Sequence, residues 1–226
     1  MQIIYLLLAL ALFNSNNTEK YSSIERTVYD VESSEIDSSI YYTILPYKTE
    51  LDAQMNAVLC YSSLAMKKSK PESLLGNWTS EVCLEMAQES YAEKIDLSFF
   101  NTGGLRSSLP EGEITKRDLY KLMPFENELV VLKLNKNELL GLKSYFNITE
   151  GQPVAFASDF SLSDTLFHVL TTDYLANGGD KMKFFKDKTQ HKIGLKMRDA
   201  LINYCTRQDT ISSNLDDRHL ILFDEN

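Results

Sequence analysis

The chain has 226 residues, more than the roughly 150 of a typical domain, so we expect one domain with additional segments. Aspartate and glutamate outnumber lysine and arginine by 32 to 23, and 43% of the residues are hydrophobic. This composition is typical of a globular protein, and its charge of −9 argues against nucleic-acid binding.

The N-terminal segment predicts export. Residues 1–15 begin with an apolar run of about a dozen residues, which is shorter than the roughly 20 that span a bilayer. This length fits the hydrophobic region of a signal peptide, although a positively charged region before it is missing; a buried helix is the alternative. We therefore expect a periplasmic, cell-surface or extracellular protein with no transmembrane segment. Residues 16–56 predict an acidic leader and a helix, from Ile40 to Met55, that leads into a domain of residues 57–226.

The domain is predicted to contain interspersed helices and strands without a regular βαβ period, which indicates an α+β or layered α/β fold with mixed sheets. A second helix, capped by Ser73, places apolar residues on one face at a spacing of four. After the leading helix, the first half of the domain is predicted to contain an extended stretch at 57–66, the Ser73 helix, a strand at 95–100 and a short helix that Thr115 caps and Pro124 ends. The second half is predicted to contain a strand at 128–135, a helix at 136–146, strands at 154–156 and 166–174, a helix at 193–205 and a last strand at 219–223.

Histidine and cysteine are scarce. The three histidines, at 168, 191 and 219, have no metal-binding spacing, which leaves little from which to build a histidine-rich metal centre. The cysteines Cys60, Cys83 and Cys205 lack a C-x-x-C spacing, and we interpret them as buried apolar residues with at most one disulfide.

Two glycine turns follow predicted strands, and each alone is typical of an ordinary tight turn. Four blocks taken together are more specific: Asn101-Thr-Gly-Gly-Leu-Arg106, Leu109-Pro-Glu-Gly-Glu-Ile-Thr115, Met123-Pro-Phe-Glu-Asn127 and Asp173-Tyr-Leu-Ala-Asn-Gly-Gly-Asp180. In this order they resemble the C-terminal domain of the 5'-nucleotidase family, and Pro71-Glu-Ser-Leu-Leu-Gly-Asn77 is similar to that domain's first helix. The resemblance implies a layered α/β/β/α sandwich with mixed sheets.

The resemblance also implies a substrate-binding site for a nucleoside 5'-monophosphate or nucleoside. Arg106 corresponds to the arginine that contacts the substrate phosphate, and Asp180 to the aspartate that accepts from ribose hydroxyls. Phe125 and Tyr174 correspond to the aromatic residues that enclose the base, and Asn127 to the amide at the base edge. The predicted site residues are Asn101, Gly103, Gly104, Arg106, Phe125, Asn127, Tyr174, Gly178, Gly179 and Asp180.

Each predicted role has a structural alternative. In the structural alternative, Phe125 and Tyr174 are aromatic residues of the core. Arg106 then forms an ion pair with Glu111 or Glu113, and Asp180 only stabilises its own turn. Two departures from the family affect the site: the segment between the third and fourth blocks is short, and the family's upstream arginines have no match near Lys67, Lys68 and Lys70.

The family's hydrolytic chemistry belongs to a separate metallophosphatase domain with two metal ions, whose D-x-H, G-N-H-[DE] and H-G-H blocks do not occur here. We therefore predict the nucleotide-recognising half of a split 5'-nucleotidase, with no cofactor or metal of its own. The divalent metal pair is expected on a partner metallophosphatase polypeptide. The alternative is a non-enzymatic exported nucleoside- or nucleotide-binding protein, or a decayed homologue. An independent hydrolase is disfavoured because G-x-S-x-G and Walker A motifs are missing.

Overall fold

The computed structural model describes residues 37–223, which fall into two units, 37–44 and 45–223. The predicted signal-peptide-like segment and the leader up to residue 36 lie outside the described residues. Helix α1 spans Ser38–Met55 and crosses the boundary between the two units, in agreement with the predicted helix despite Pro46 inside it. Among the helices of residues 37–223, none has the length and apolar character required to cross a membrane.

Helices and strands alternate irregularly after α1. The further helices are α2 (Leu74–Gln88), α3 (Lys116–Leu122), α4 (Lys136–Ile148), α5 (Asp173–Ala176), α6 (Met197–Cys205) and α7 (Leu220–Phe223). The strands are β1 (Val58–Ser62), β2 (Leu97–Phe99), β3 (Gly112–Thr115), β4 (Glu128–Asn135), β5 (Val154–Phe156), β6 (Leu166–Thr172), β7 (Gln190–Lys196) and β8 (Thr210–Ile211).

The strands form two mixed sheets. The smaller has the order β3-β1-β8, with β1 antiparallel to β3 and parallel to β8. The larger has the order β5-β2-β6-β4-β7, in which β2 and β6 are parallel and the other neighbours are antiparallel. The predicted α+β fold with mixed sheets is confirmed.

Strand β4 shows how the five-stranded sheet is buried on both faces. Val130, Leu132 and Leu134 belong to one apolar cluster, whereas Leu129 and Val131 belong to the other. This alternation follows from the two-residue period of a strand. Helix α4 packs with the first cluster, and α2, α6 and the three-stranded sheet pack with the second.

Helix α2 has the predicted cap and buried face. The Ser73 hydroxyl accepts a hydrogen bond from the Gly76 amide at 2.9 Å, and Trp78, Val82 and Met86 are buried. This cap satisfies an amide that the first helical turn otherwise leaves unpaired.

The three cysteines are free thiols and are buried, as predicted for small apolar residues. Burial raises the pKa of the Cys83 thiol far above its ordinary value. The thiols of Cys60 and Cys205 are hydrogen-bonded to each other.

Helix α3 begins with a capping box that provides a stability test. The Thr115 hydroxyl accepts from the Asp118 amide at 3.3 Å, and the Asp118 carboxylate accepts from the Thr115 amide at 2.9 Å. We expect Thr115→Ala to lower the free energy of unfolding by about 1 kcal/mol in urea denaturation. Thr115→Ser keeps the hydroxyl and should lose less than about half of that. An equal loss in both variants would contradict the role of the hydroxyl.

The predicted helix at 193–205 is wrong in its first part. Residues 190–196 form strand β7, which pairs antiparallel with β4, and helix α6 begins only at Met197. Ile193 and Met197 are four residues apart and imitate a helical spacing, but pairing with β4 determines the structure. Gly194, with φ of 75°, supplies the left-handed backbone where the register with β4 shifts.

The predicted last strand at 219–223 is also wrong, because Leu220–Phe223 is a single helical turn, α7. Leu222 is buried in the cluster around α4, and the Phe223 ring lies 5.0 Å from that of Phe146. A short apolar run does not distinguish a strand from a helical turn, and here packing against α4 decides between them.

Candidate functional site

Three of the motif blocks meet at one edge of the five-stranded sheet. Strands β2 and β6 are parallel neighbours, so the segments that follow them, 100–106 and 173–180, leave the sheet at the same edge. Strand β4 is antiparallel to β6, with Leu129 opposite Thr172, so residues 123–127 reach that edge as well. The strand order therefore brings together blocks that are far apart in the sequence.

These segments surround an open cavity of about 310 Å³, a volume within the range of small-molecule sites. Its lining residues are Asn101, Gly103, Gly104, Arg106, Phe125, Asn127, Tyr174 and Asp180. All of them belong to the predicted site, and from that set only Gly178 and Gly179 are not part of the lining.

The two aromatic residues face the cavity rather than the core. Phe125 is 40% exposed and Tyr174 is 47% exposed, which excludes the alternative that they are core aromatics. Their rings lie on different segments, and both residues line the cavity. Each ring can therefore offer a face to a planar ligand.

The Asp180 carboxylate is held by two other cavity residues. The Tyr174 hydroxyl donates to Oδ1 at 3.0 Å, and the Asn101 side-chain amide donates to Oδ2. Tyr145 donates to the backbone carbonyl of Asp180 at 2.9 Å, and its pKa is raised by burial and by the nearby Asp180 carboxylate, which keeps the phenol protonated. A carboxylate oxygen can accept more than one hydrogen bond, so Asp180 retains capacity for a ligand hydroxyl.

Gly178 and Gly179 do not line the cavity, but they shape the loop that packs against Tyr174. A Cβ at Gly179 would lie 2.5 Å from the Tyr174 ring and 2.6 Å from its backbone carbonyl, so a side chain there would displace the tyrosine. Gly178 has φ of 88°, a conformation that glycine adopts without steric cost. Gly179 therefore allows the loop to pack closely against Tyr174, and Gly178 allows the turn before it.

Arg106 is an exposed cation next to the Phe125 ring. Its Nη1 donates to the Gly103 carbonyl at 3.4 Å, and its Cζ lies 5.8 Å from the Phe125 ring centroid. In the described residues 37–223 its side chain contacts Gly103 and Phe125 rather than Glu111 or Glu113, contrary to the structural alternative for this arginine. Most of its N–H donors remain available to an anion at the cavity.

The upstream lysines stand apart from the cavity lining. Lys68 donates to the Leu105 carbonyl at 2.6 Å and so supports the peptide that precedes Arg106. Lys70 donates to the carbonyl of Thr149. Neither lysine belongs to the residues that line the cavity.

Sequence reasoning missed the residues that hold the site segments from outside. The Gln152 side-chain oxygen accepts from the Thr102 amide at 2.8 Å, and Tyr145 binds the Asp180 loop. Arg198, near the start of α6, contacts the Phe125 segment. The sequence predicts one helix over residues 193–205, so it does not indicate that Arg198 lies just after a strand.

The cavity does not suit a pair of divalent cations, because its lining contains one carboxylate, that of Asp180, beside a guanidinium. Elsewhere among residues 37–223, Glu72, Asp217 and His219 bring ligand atoms within 4.8 Å of one another. However, the Glu72 oxygens already accept from the Asn77 amide and interact with His219 at 2.8 Å, so this cluster is accounted for by the fold.

Glu126, beside Phe125, makes stability depend on pH. Hydrogen bonds from Arg198 and Lys196 lower its pKa from an ordinary 4.5 to about 2. Because the folded-state pKa is lowered, the stabilisation is present above about pH 4.5 and is lost as the pH falls towards 2.

We expect the melting temperature of wild-type protein to exceed that of Glu126→Gln at pH 6, and the difference to shrink as the pH approaches 3. The difference should be modest because the carboxylate is well exposed. Thermal unfolding of both proteins across this pH range measures it. A difference that stays constant with pH would contradict the assignment.

The sequence of this chain is similar to those of known proteins. Residues 53–141 match the protein-family model for the 5'-nucleotidase C-terminal domain. The apyrase of Tabanus yao is 28% identical over 160 residues, which cover 54% of this chain and 29% of the apyrase. A probable 5'-nucleotidase of Treponema pallidum is 39% identical over 67 residues, which cover 30% of this chain and 11% of that protein.

The fold is shared with a solved 5'-nucleotidase precursor from Thermus thermophilus. The two superpose with a TM-score of 0.65 at 21% identity, over 80% of this chain and 43% of that one. The predicted resemblance to the 5'-nucleotidase C-terminal domain is thereby confirmed, in sequence and in fold. This chain spans less than half the length of these relatives.

Proposed function

We propose that the cavity binds a nucleoside 5'-monophosphate, or the nucleoside left after loss of the phosphate. One observation carries the proposal: the side chains expected to bind phosphate, base and ribose, which come from separate segments, line a single cavity. The relatives named as 5'-nucleotidases and apyrase support a nucleotide as the class of ligand.

The chemistry of each side chain suits one part of the ligand. The Arg106 guanidinium is a planar donor that matches two phosphate oxygens at once. The Phe125 and Tyr174 rings stack on a base, and the Asn127 amide both donates and accepts at its edge. The Asp180 carboxylate accepts from the ribose hydroxyls while Tyr174 and Asn101 hold it in place.

Hydrolysis of the phosphate ester is proposed to require a separate metallophosphatase polypeptide. A metal pair there would supply an activated hydroxide and neutralise charge on the transferring phosphoryl group. The residues of this chain bind the nucleotide and orient its phosphate beside Arg106. We propose that this occurs outside the cytoplasm, on the basis of the signal-peptide-like residues 1–15.

Calorimetry and a phosphate-release assay test the proposal together. We expect purified protein to bind AMP and adenosine, and to release phosphate from AMP only with divalent metal and a metallophosphatase encoded beside it. Binding without release in that mixture would favour a non-enzymatic binding protein. Failure to bind either ligand would overturn the proposal.

A further inference from the structure

We propose that Arg198 is a positioning residue that fixes the Phe125–Asn127 segment at the cavity, and thereby sets how strongly the site holds a base. This inference rests on the proposed function. Arg198 itself does not line the cavity, so it would act mainly through Phe125, whose backbone carbonyl it binds.

The guanidinium of Arg198 is buried against the segment that carries Phe125. Arg198 is 5% exposed, and its Nη1 donates to the carbonyls of Met123 and Phe125, each at 3.2 Å. Its Nη2 donates to the Glu126 carboxylate, and its Cζ lies 4.2 Å from the centre of the Tyr120 ring. One side chain therefore binds three points within the four consecutive residues 123–126.

Stability alone does not explain an arginine at this position. Burying a guanidinium is costly, and an apolar side chain of similar size often stabilises a core as well or better. The Arg198 Nε is buried without a hydrogen-bond partner in the described part of the chain, which adds to this cost. The two backbone carbonyls that it binds belong to a segment without regular structure, and an apolar side chain could not hold them.

The neighbours of Arg198 hold the same segment. The Met197 amide donates to the Asn127 carbonyl at 2.9 Å, and Lys196 donates to the Glu126 carboxylate. This arrangement follows from the sheet, because Lys196 at the end of β7 lies opposite Glu128 at the start of β4. The junction between β7 and α6 thus fixes the backbone on both sides of Phe125.

The Phe125 ring depends on this backbone anchoring. Phe125 is 40% exposed, and the Cζ of the exposed Arg106 lies 5.8 Å from the centre of its ring. Because the side chain is partly exposed, packing alone does not fix the ring, and the position of its backbone helps to determine where the ring lies in the cavity. Stacking on a base requires the ring to be held in place before the ligand arrives.

A double-mutant cycle tests the inference with adenosine as the probe in calorimetry. We expect Arg198→Met to weaken adenosine binding about tenfold, a change of about 1.4 kcal/mol. In a Phe125→Ala background it should cause less than about a twofold further loss, because the ring through which Arg198 acts is gone. The matched control is Arg207→Met, which removes an exposed arginine just after α6 that pairs with Glu89, and should leave affinity unchanged.

The outcomes separate this inference from the proposed function. Failure of wild-type protein to bind adenosine would overturn both. The role of Arg198 alone would be overturned if binding depended on Phe125 but not on Arg198. It would also be overturned if the losses of the two single variants multiplied in the double variant.

A second variant covers the case in which Arg198→Met does not fold, as judged by its circular dichroism and melting. Glu126→Gln replaces the charged partner of the guanidinium with a neutral amide at an exposed position. It should weaken adenosine binding about threefold in an otherwise wild-type protein and not in Phe125→Ala. Full affinity in Glu126→Gln would then count against the inference.

Discussion

Phe125→Ala is expected to weaken adenosine binding by about 5- to 150-fold, because stacking of a base on an aromatic side chain contributes about 1–3 kcal/mol. Phe125 lines the cavity and is 40% exposed, so its truncation removes a ligand contact without opening a hole in the core. Calorimetric titration of the variant and wild-type protein with adenosine measures the loss.

Two control variants make this result specific. Tyr61→Ala truncates an aromatic residue of similar exposure on β1, outside the cavity, and should leave the affinity unchanged. Phe125→Tyr keeps an aromatic ring and should retain most of the binding. If Phe125→Ala binds adenosine as well as wild-type protein does, the ring does not stack on the base.

The residues that line the cavity could be predicted because they lie in short contiguous blocks that resemble those of the 5'-nucleotidase C-terminal domain. Two of these blocks follow strands β2 and β6, and the block 123–127 precedes β4. Apolar runs such as 128–135 identify the neighbouring strands well. What the pattern could not supply was the pairing of those strands. The parallel pairing of β2 with β6, and the antiparallel pairing of β4 with β6, bring Asn101, Phe125 and Tyr174 to one edge.

The supporting residues could not be predicted from sequence because they act across long separations. Tyr145 lies on helix α4, where an aromatic residue also fits the apolar face of the helix, yet its hydroxyl binds the Asp180 carbonyl. Arg198 comes directly after Met197, which lies four residues after Ile193, a spacing that is also that of a helix. The sequence therefore does not show that strand β7 ends at Lys196, just before Arg198. Only the pairing of β7 with β4 shows that the start of α6 lies beside Phe125.

The errors at 193–205 and 219–223 have a common physical origin. Both segments are short, and their apolar residues fit a helix or a strand equally well in isolation. Tertiary contacts decide the outcome: β4 provides an edge with which Gln190–Lys196 pair, whereas Leu222 packs into the cluster around α4 as part of a helical turn. Long elements with many periodic positions, such as α2, are less dependent on these contacts.

Arg106→Met is expected to weaken AMP binding by about 10- to 150-fold, since hydrogen bonds to a charged group contribute about 1.5–3 kcal/mol. Adenosine lacks the phosphate, so its affinity should fall less than about fivefold. That smaller loss reflects the cation–π contact with Phe125, which is worth about 0.5–1 kcal/mol at an exposed site. Titration of each protein with both ligands separates the two effects.

The ratio of the AMP and adenosine affinities is the informative quantity. Arg117→Met, which removes an arginine that pairs with Asp52 at 2.6 Å outside the cavity, should leave the ratio unchanged. Arg106→Lys keeps the charge but not the planar pair of donors, so it should retain part of the preference for AMP. Equal losses for AMP and adenosine in Arg106→Met would show that Arg106 supports the cavity rather than binding the phosphate. A loss confined to AMP would assign the phosphate to the Arg106 end of the cavity.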